Sequence, residues 1–78
     1  MTQTLVTGGA GFIGSYLVDL LVQRQSRVRV LALPGSSVAH LPLSQIEIIF
    51  GDIRDRAIVR QAVQGCTEVY HLAADPQL

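Results

Sequence analysis

The chain has 78 residues, with six basic side chains balanced by six acidic ones, and 49% apolar against 15% charged residues. A chain of this length forms one small domain at most and buries only about 60% of the surface it exposes when unfolded, so its high apolar share points to missing neighbours. The charges are scattered as well as balanced, which excludes the electrostatic footprint of a nucleic-acid or anionic-membrane binder, and no apolar run reaches the roughly 18 residues of a spanning helix.

Thr4-Leu5-Val6-Thr7 is a short β-prone run that stops at Gly8-Gly9, as a buried strand feeding a tight turn does. From Phe12 the period changes. Ile13, Leu17, Leu20 and Leu21 fall at helical spacing while Ser15, Asp19 and Gln23 point elsewhere, which predicts an amphipathic helix to about Gln25. Arg27-Val28-Arg29-Val30-Leu31-Ala32 restores strand character, and Pro34-Gly35-Ser36-Ser37 breaks it. After an irregular stretch around His40-Leu41-Pro42, Ile46 to Phe50 reads as a third strand closed by Gly51-Asp52. Asp55 is placed to cap a second helix. Its stripe is Ile58, Val59, Ala62 and Val63, its solvent face Arg56, Arg60 and Gln64, and its stop Gly65. Glu68 to Leu72 is the fourth strand.

Strands alternating with helices imply an α/β fold with a parallel sheet, and right-handed crossovers give the strand order 3-2-1-4. The result is a partial Rossmann fold of about four strands and two helices, lacking the C-terminal half of the sheet. Strand four then forms an open edge, a template for self-association or for a partner that covers it. A truncated polypeptide is therefore expected, with residues 1–78 as the N-terminal part of a larger domain.

Gly8-Gly9-Ala10-Gly11-Phe12-Ile13-Gly14 lies between strand one and the first helix, the context in which such glycines are informative. Gly8 can take a backbone angle closed to other residues, Gly11 lets the chain approach a pyrophosphate, and Gly14 lets the helix pack closely on the sheet. The helix aims unpaired N–H groups and its positive dipole end at the phosphates, so no basic side chain is needed. Gly9 and Gly14 also match the glycine spacing of a triphosphate-binding loop. That loop needs a lysine where Ser15 stands, which argues against it.

The run from Thr7 through Ser15, Gly51-Asp52-Ile53-Arg54-Asp55 after strand three, and His71-Leu72-Ala73-Ala74 after strand four together closely resemble the extended short-chain dehydrogenase/reductase family, the NAD-dependent epimerases and dehydratases. Arg29 to Ser36 is further similar to the dihydroflavonol reductase-like and hopanoid-associated sugar epimerase-like subgroup. The resemblance implies a dinucleotide cofactor held by Gly8, Gly11, Phe12, Ile13 and Gly14. It also implies that Asp52 and Ile53 contact the adenine, and that Leu72, Ala73 and Ala74 line the ribose and nicotinamide side. Asp52 also reads as a plain turn residue, and the three residues after strand four as strand-end packing.

The acidic residue that bonds the adenosine ribose and favours NAD is absent, because Leu33 and Pro34 stand at the end of strand two. The arginine suited to a 2′-phosphate is absent there too, so NAD and NADP both stay open. Gly35, Ser36 and Ser37 offer amides and hydroxyls to either, or simply form a turn, with Ser36 the candidate contact.

In strand four Tyr70 and Leu72 project to one face and His71 to the other, so with Asp75 they form no converging acid-base set. His71 reads as a strand histidine with a backbone partner. Cys66, the single cysteine, excludes an intramolecular disulfide and fits a reducing, cytoplasmic setting. It has no basic neighbour in sequence and reads as a small packed side chain rather than a nucleophile. His40, Asp52, Asp55 and Cys66 lack the ligand spacing of a zinc site, and the sequence opens without a targeting segment's basic region.

The family's catalytic tyrosine and lysine, four positions apart, lie after the fourth strand. This sequence contains no lysine, so catalysis by residues 1–78 alone is not expected. Two functions stay open: the cofactor-binding N-terminal segment of an NAD(P)-dependent sugar epimerase/dehydratase or reductase, and a stand-alone nucleotide-binding or interaction module, or a remnant, without catalysis.

Overall fold

The computed structural model describes residues 3–73. Four strands and two helices follow in the order β1 (Gln3–Thr7), α1 (Phe12–Gln23), β2 (Arg27–Ala32), β3 (Ile46–Phe50), α2 (Arg56–Val63) and β4 (Glu68–His71), with a 3-10 turn at Leu43–Gln45 before β3. All strand pairs are parallel, and the spatial order is β3-β2-β1-β4. In register, Val6 lies beside Val30 on one side and Tyr70 on the other.

Both faces of the central strands are buried, as a parallel sheet between two helical layers requires. Val6, Val28, Val30 and Ala32 pack with Val18 and Leu21 of α1. Leu5 and Leu31 alternate to the other face and pack with Ala62, Ile58 and Val59 of α2. The two helices thus cover opposite faces of the sheet. Leu41, in the loop after β2, is buried in the α1-side core against Val38, an anchor that periodicity did not reveal because it belongs to no regular element.

The contact line of α1 differs from its predicted stripe. Gly14, Val18 and Leu21 are its buried residues, whereas Ile13 and Leu20 are exposed. Glycine explains the rotation: with no side chain, Gly14 sits against the turn before the helix and sets Gly14, Val18 and Leu21, at i, i+4 and i+7, as the inward row. The helix also ends earlier than expected. Gln25 takes φ 64°, its N–H bonds the Val22 carbonyl at 2.9 Å and the Ser26 N–H bonds Leu21 at 3.0 Å, a left-handed cap made without glycine.

The second helix follows its predicted signals more closely. The Asp55 carboxylate accepts the Ala57 and Ile58 amides at 3.0 and 3.4 Å, and Gly65 leaves the helix at φ 79°. Ala62 is buried and Ile58 and Val59 pack inward, while Val63 is exposed. Arg29 closes the C-terminal end, its Nη1 donating to the carbonyls of Ala62 and Gln64 at 2.7 and 2.8 Å, where a cation complements the helix dipole. That guanidinium also lies 3.6 Å from Cys66 Sγ, so Cys66 does have a basic neighbour. It comes from a strand 37 residues away, out of reach of a local sequence reading.

Candidate functional site

Parallel strands send all their carboxyl ends to one side of the sheet, and the segments leaving those ends meet around one cleft of about 620 Å³. The turn after β1 contributes Gly8, Ala10 and Gly11, and the segment after β2 contributes Leu33, Ser36, Ser37 and His40. Gly51 to Arg54 line it after β3, and Leu72 and Ala73 after β4. Such a position, where helices on opposite faces diverge, is where open α/β sheets take their ligands.

The floor is the glycine turn. Gly8 adopts φ 74°, and a Cβ there would come within 2.7 Å of the Ala73 nitrogen, so only glycine permits both the turn and the close passage of the chain after β4. The Gly8 N–H bonds the Leu31 carbonyl at 3.2 Å, and the Gly8 carbonyl accepts the Gly11 N–H at 3.1 Å. A Cβ on Gly14 would overlap the Gly8 carbonyl, so the third glycine serves contact between α1 and the turn rather than contact with the sheet. Gly11, by contrast, has room: a Cβ there would meet only the Gly8 oxygen, at 3.4 Å. Gly11 caps α1 without a side-chain bond, and among the described residues the N–H groups of Phe12, Ile13 and Gly14 find no acceptor. Three free amides at a positive dipole end form an anion-binding surface.

At the end of β2, the Ser36 N–H bonds the Leu33 carbonyl at 3.0 Å and Gly35 takes φ 87°, which closes a tight turn. Leu33 is exposed, and Asp52 is the one carboxylate lining the cleft among the described residues. Asp52 is engaged by Arg54: Nη2 lies 2.6 Å from Oδ2, Nε 3.0 Å from Oδ1, and the Arg54 amide 2.9 Å from Oδ1. The side-chain bond from Arg54, then its amide, lower the Asp52 pKa to about 2. The turn role foreseen for Asp52 is thus realised in its bond to the amide two residues on.

The fourth wall depends on Thr7, a buried polar residue that the sequence reading did not single out. Its carbonyl accepts the Leu72 N–H at 3.1 Å, and its hydroxyl accepts the Ala73 N–H at 3.3 Å. The hydroxyl also lies 2.7 Å from His71 Nδ1, a hydrogen bond between the two side chains. The partner of His71 is therefore this side chain and not a backbone group. His40 is the other residue missed: its ring reaches the glycine turn at the Ala10 carbonyl, 3.1 Å away.

Of the candidate residues, Gly8, Gly11, Ser36, Asp52, Ile53, Leu72 and Ala73 line the cleft together. Phe12 and Ile13 turn their side chains to solvent, and Gly14 is buried beneath the turn. Ala74 and Asp75 lie outside the described residues. Among the described residues no helix is long and apolar enough to cross a membrane.

Comparison with known proteins agrees with this geometry. The chain is 42% identical over 71 residues to sterol demethylase protein B of Methylococcus capsulatus, covering 91% of the chain and 22% of that protein. It is 38% identical over 69 residues to a protein of Synechocystis sp. named as a dihydroflavonol 4-reductase, covering 88% of the chain and 20% of the relative. The crystal structure of UDP-glucose 4-epimerase from Thermus thermophilus in complex with NAD superposes with a TM-score of 0.82 at 38% identity, over 95% of this chain and 24% of that one. The chain thus spans about a fifth of the length of the curated relatives it matches. The sequence model of the NAD dependent epimerase/dehydratase family matches residues 4–77, and the chain belongs to that family.

Proposed function

We propose that the cleft binds a nicotinamide dinucleotide, NAD or NADP, and that residues 1–78 are the N-terminal segment of an NAD(P)-dependent sugar epimerase/dehydratase or reductase. The observation that carries this reading is the convergence of four strand ends on one cleft floored by a glycine turn with free amides. The diphosphate lies against Gly8, Gly11 and the amides of Phe12, Ile13 and Gly14, in the space left open above Gly11. Ser36 meets the adenosine ribose, Asp52 and Ile53 the adenine, and Leu72, Ala73 and Ala74 the nicotinamide side. Cleft geometry supports the seven lining positions, and the family resemblance supports Ala74. The nicotinamide supplies hydride transfer when bound; the tyrosine and lysine that the family uses beside it lie outside this lysine-free segment.

A second role rests on a separate observation. Val69, Tyr70 and Leu72 on and just after β4, with Phe12, Ile13, Tyr16 and Leu20 on the outer side of α1, are exposed. Exposed apolar residues on an edge strand favour self-association or a partner that continues the sheet.

Fluorescence titration with NADH and NADPH tests the cofactor reading, with Gly11→Val as its control. Gly11 has φ −75° and open space, so the variant is expected to fold normally while losing at least about tenfold in affinity through blocked phosphate approach. Unchanged affinity would remove the diphosphate from the turn, and binding of neither nucleotide by the folded chain would remove the cofactor from the cleft.

A further inference from the structure

We infer that His40 is a positioning residue for the diphosphate, acting through the Ala10–Gly11 peptide; this rests on reading the cleft as the dinucleotide site. A carbonyl only accepts, so the His40 ring donates from Nε2 to the Ala10 oxygen, across 3.1 Å and 30 residues of sequence. The same peptide plane is held at its other end, where the Gly11 N–H donates to the Gly8 carbonyl at 3.1 Å. Both polar groups of that unit are thereby engaged, and the plane leading into α1 has one orientation. The next three amides, of Phe12, Ile13 and Gly14, are the ones that find no acceptor among the described residues.

Two consequences follow for an anion. A carbonyl free to swing toward the phosphates would present its negative end to them, and the imidazole bond holds it in place. The free amides are also ordered before the ligand arrives, which removes an ordering cost from binding. The base of this strap is firm although its tip is exposed. Leu41, the next residue, is 5% exposed in the core, and its N–H bonds the Val38 carbonyl at 3.0 Å. The ring itself is exposed and fills no core volume, so its loss removes one hydrogen bond to the turn and leaves packing intact.

The test compares the parent chain with His40→Ala and His40→Gln, whose amide nitrogen reaches about as far as Nε2. Binding of ADP and of adenosine is followed by NMR titration, and stability by thermal unfolding. His40→Ala is expected to weaken ADP about 3- to 10-fold, the range of one hydrogen bond, to leave adenosine unchanged, and to melt with the parent; His40→Gln is expected to restore most of the loss. Unchanged ADP affinity, an equal loss for adenosine, a melting point that falls with affinity, or failure of the glutamine to restore binding would each overturn the role. A parent chain that is folded and binds neither ADP nor NADH would overturn the cofactor reading itself, a separate outcome.

Discussion

At the scale of single residues, the three motif glycines do different work. Gly8 carries a left-handed backbone, Gly11 keeps a space open, and Gly14 avoids overlap with the Gly8 carbonyl. Gly14→Ala should therefore destabilise the fold by about 1–3 kcal/mol, the usual range for overpacking, measured by urea denaturation, whereas Gly11→Val should act on binding alone. Asp52 makes a second expectation. Its pKa falls from 3.8 to about 2 on folding, because Arg54 bonds the carboxylate. A depressed acid pKa contributes stability that is present above the unfolded value and lost as pH falls through the folded one. Stability should decline between pH 3.8 and about 2, and Asp52→Asn should remove that part of the profile. A decline of the same size in the variant would assign the titration to another group.

At the scale of elements, caps separate what local sequence encodes from what it conceals. Asp55 and Gly65 bracket α2 as their chemistry predicts, since both act on backbone groups within a few residues. The end of α1 gave no such signal, because a glutamine occupies the left-handed position that glycine normally fills. Gln25→Gly should relieve that conformation and raise stability by about 0.5–1 kcal/mol, read from the denaturation midpoint, with cofactor affinity unchanged. No gain would mean that Gln25 has contacts that offset its strain. The rotation of α1 about its axis was equally hidden. Several apolar residues compete for its inward face, and the decision fell to Gly14, which has no hydropathy to advertise.

At the scale of the whole molecule, the sheet among the described residues ends on an exposed β4, which pairs with β1 on one side. Val69 lies in register with Leu5 and is 51% exposed, an apolar residue on an open edge. Sedimentation at rising concentration should show self-association, and Val69→Lys should shift the chain toward monomer, since a charge on an edge strand opposes pairing. Concentration-independent monomers in both would exclude the β4 edge as a contact between copies. The same surface explains the composition: an apolar share of 49% exceeds what a sheet covered by two short helices can bury.

The strands and the two helices in their order, the strand order, the capping of α2 and the glycine turn were legible in the sequence, though not the end of α1, because periodicity and turn chemistry act over a few residues. So were the lining residues Gly8, Gly11, Ser36, Asp52, Ile53, Leu72 and Ala73, through motifs that follow the strands. Only the tertiary structure decided which face of α1 turns inward and that Leu41 is core. It alone joined His40 to Ala10, Arg29 to Cys66 and Thr7 to His71 and Ala73, across separations of 30, 37, 64 and 66 residues. Each of those contacts needs one side chain brought to a distant partner by the sheet, and no local pattern marks the pair in advance.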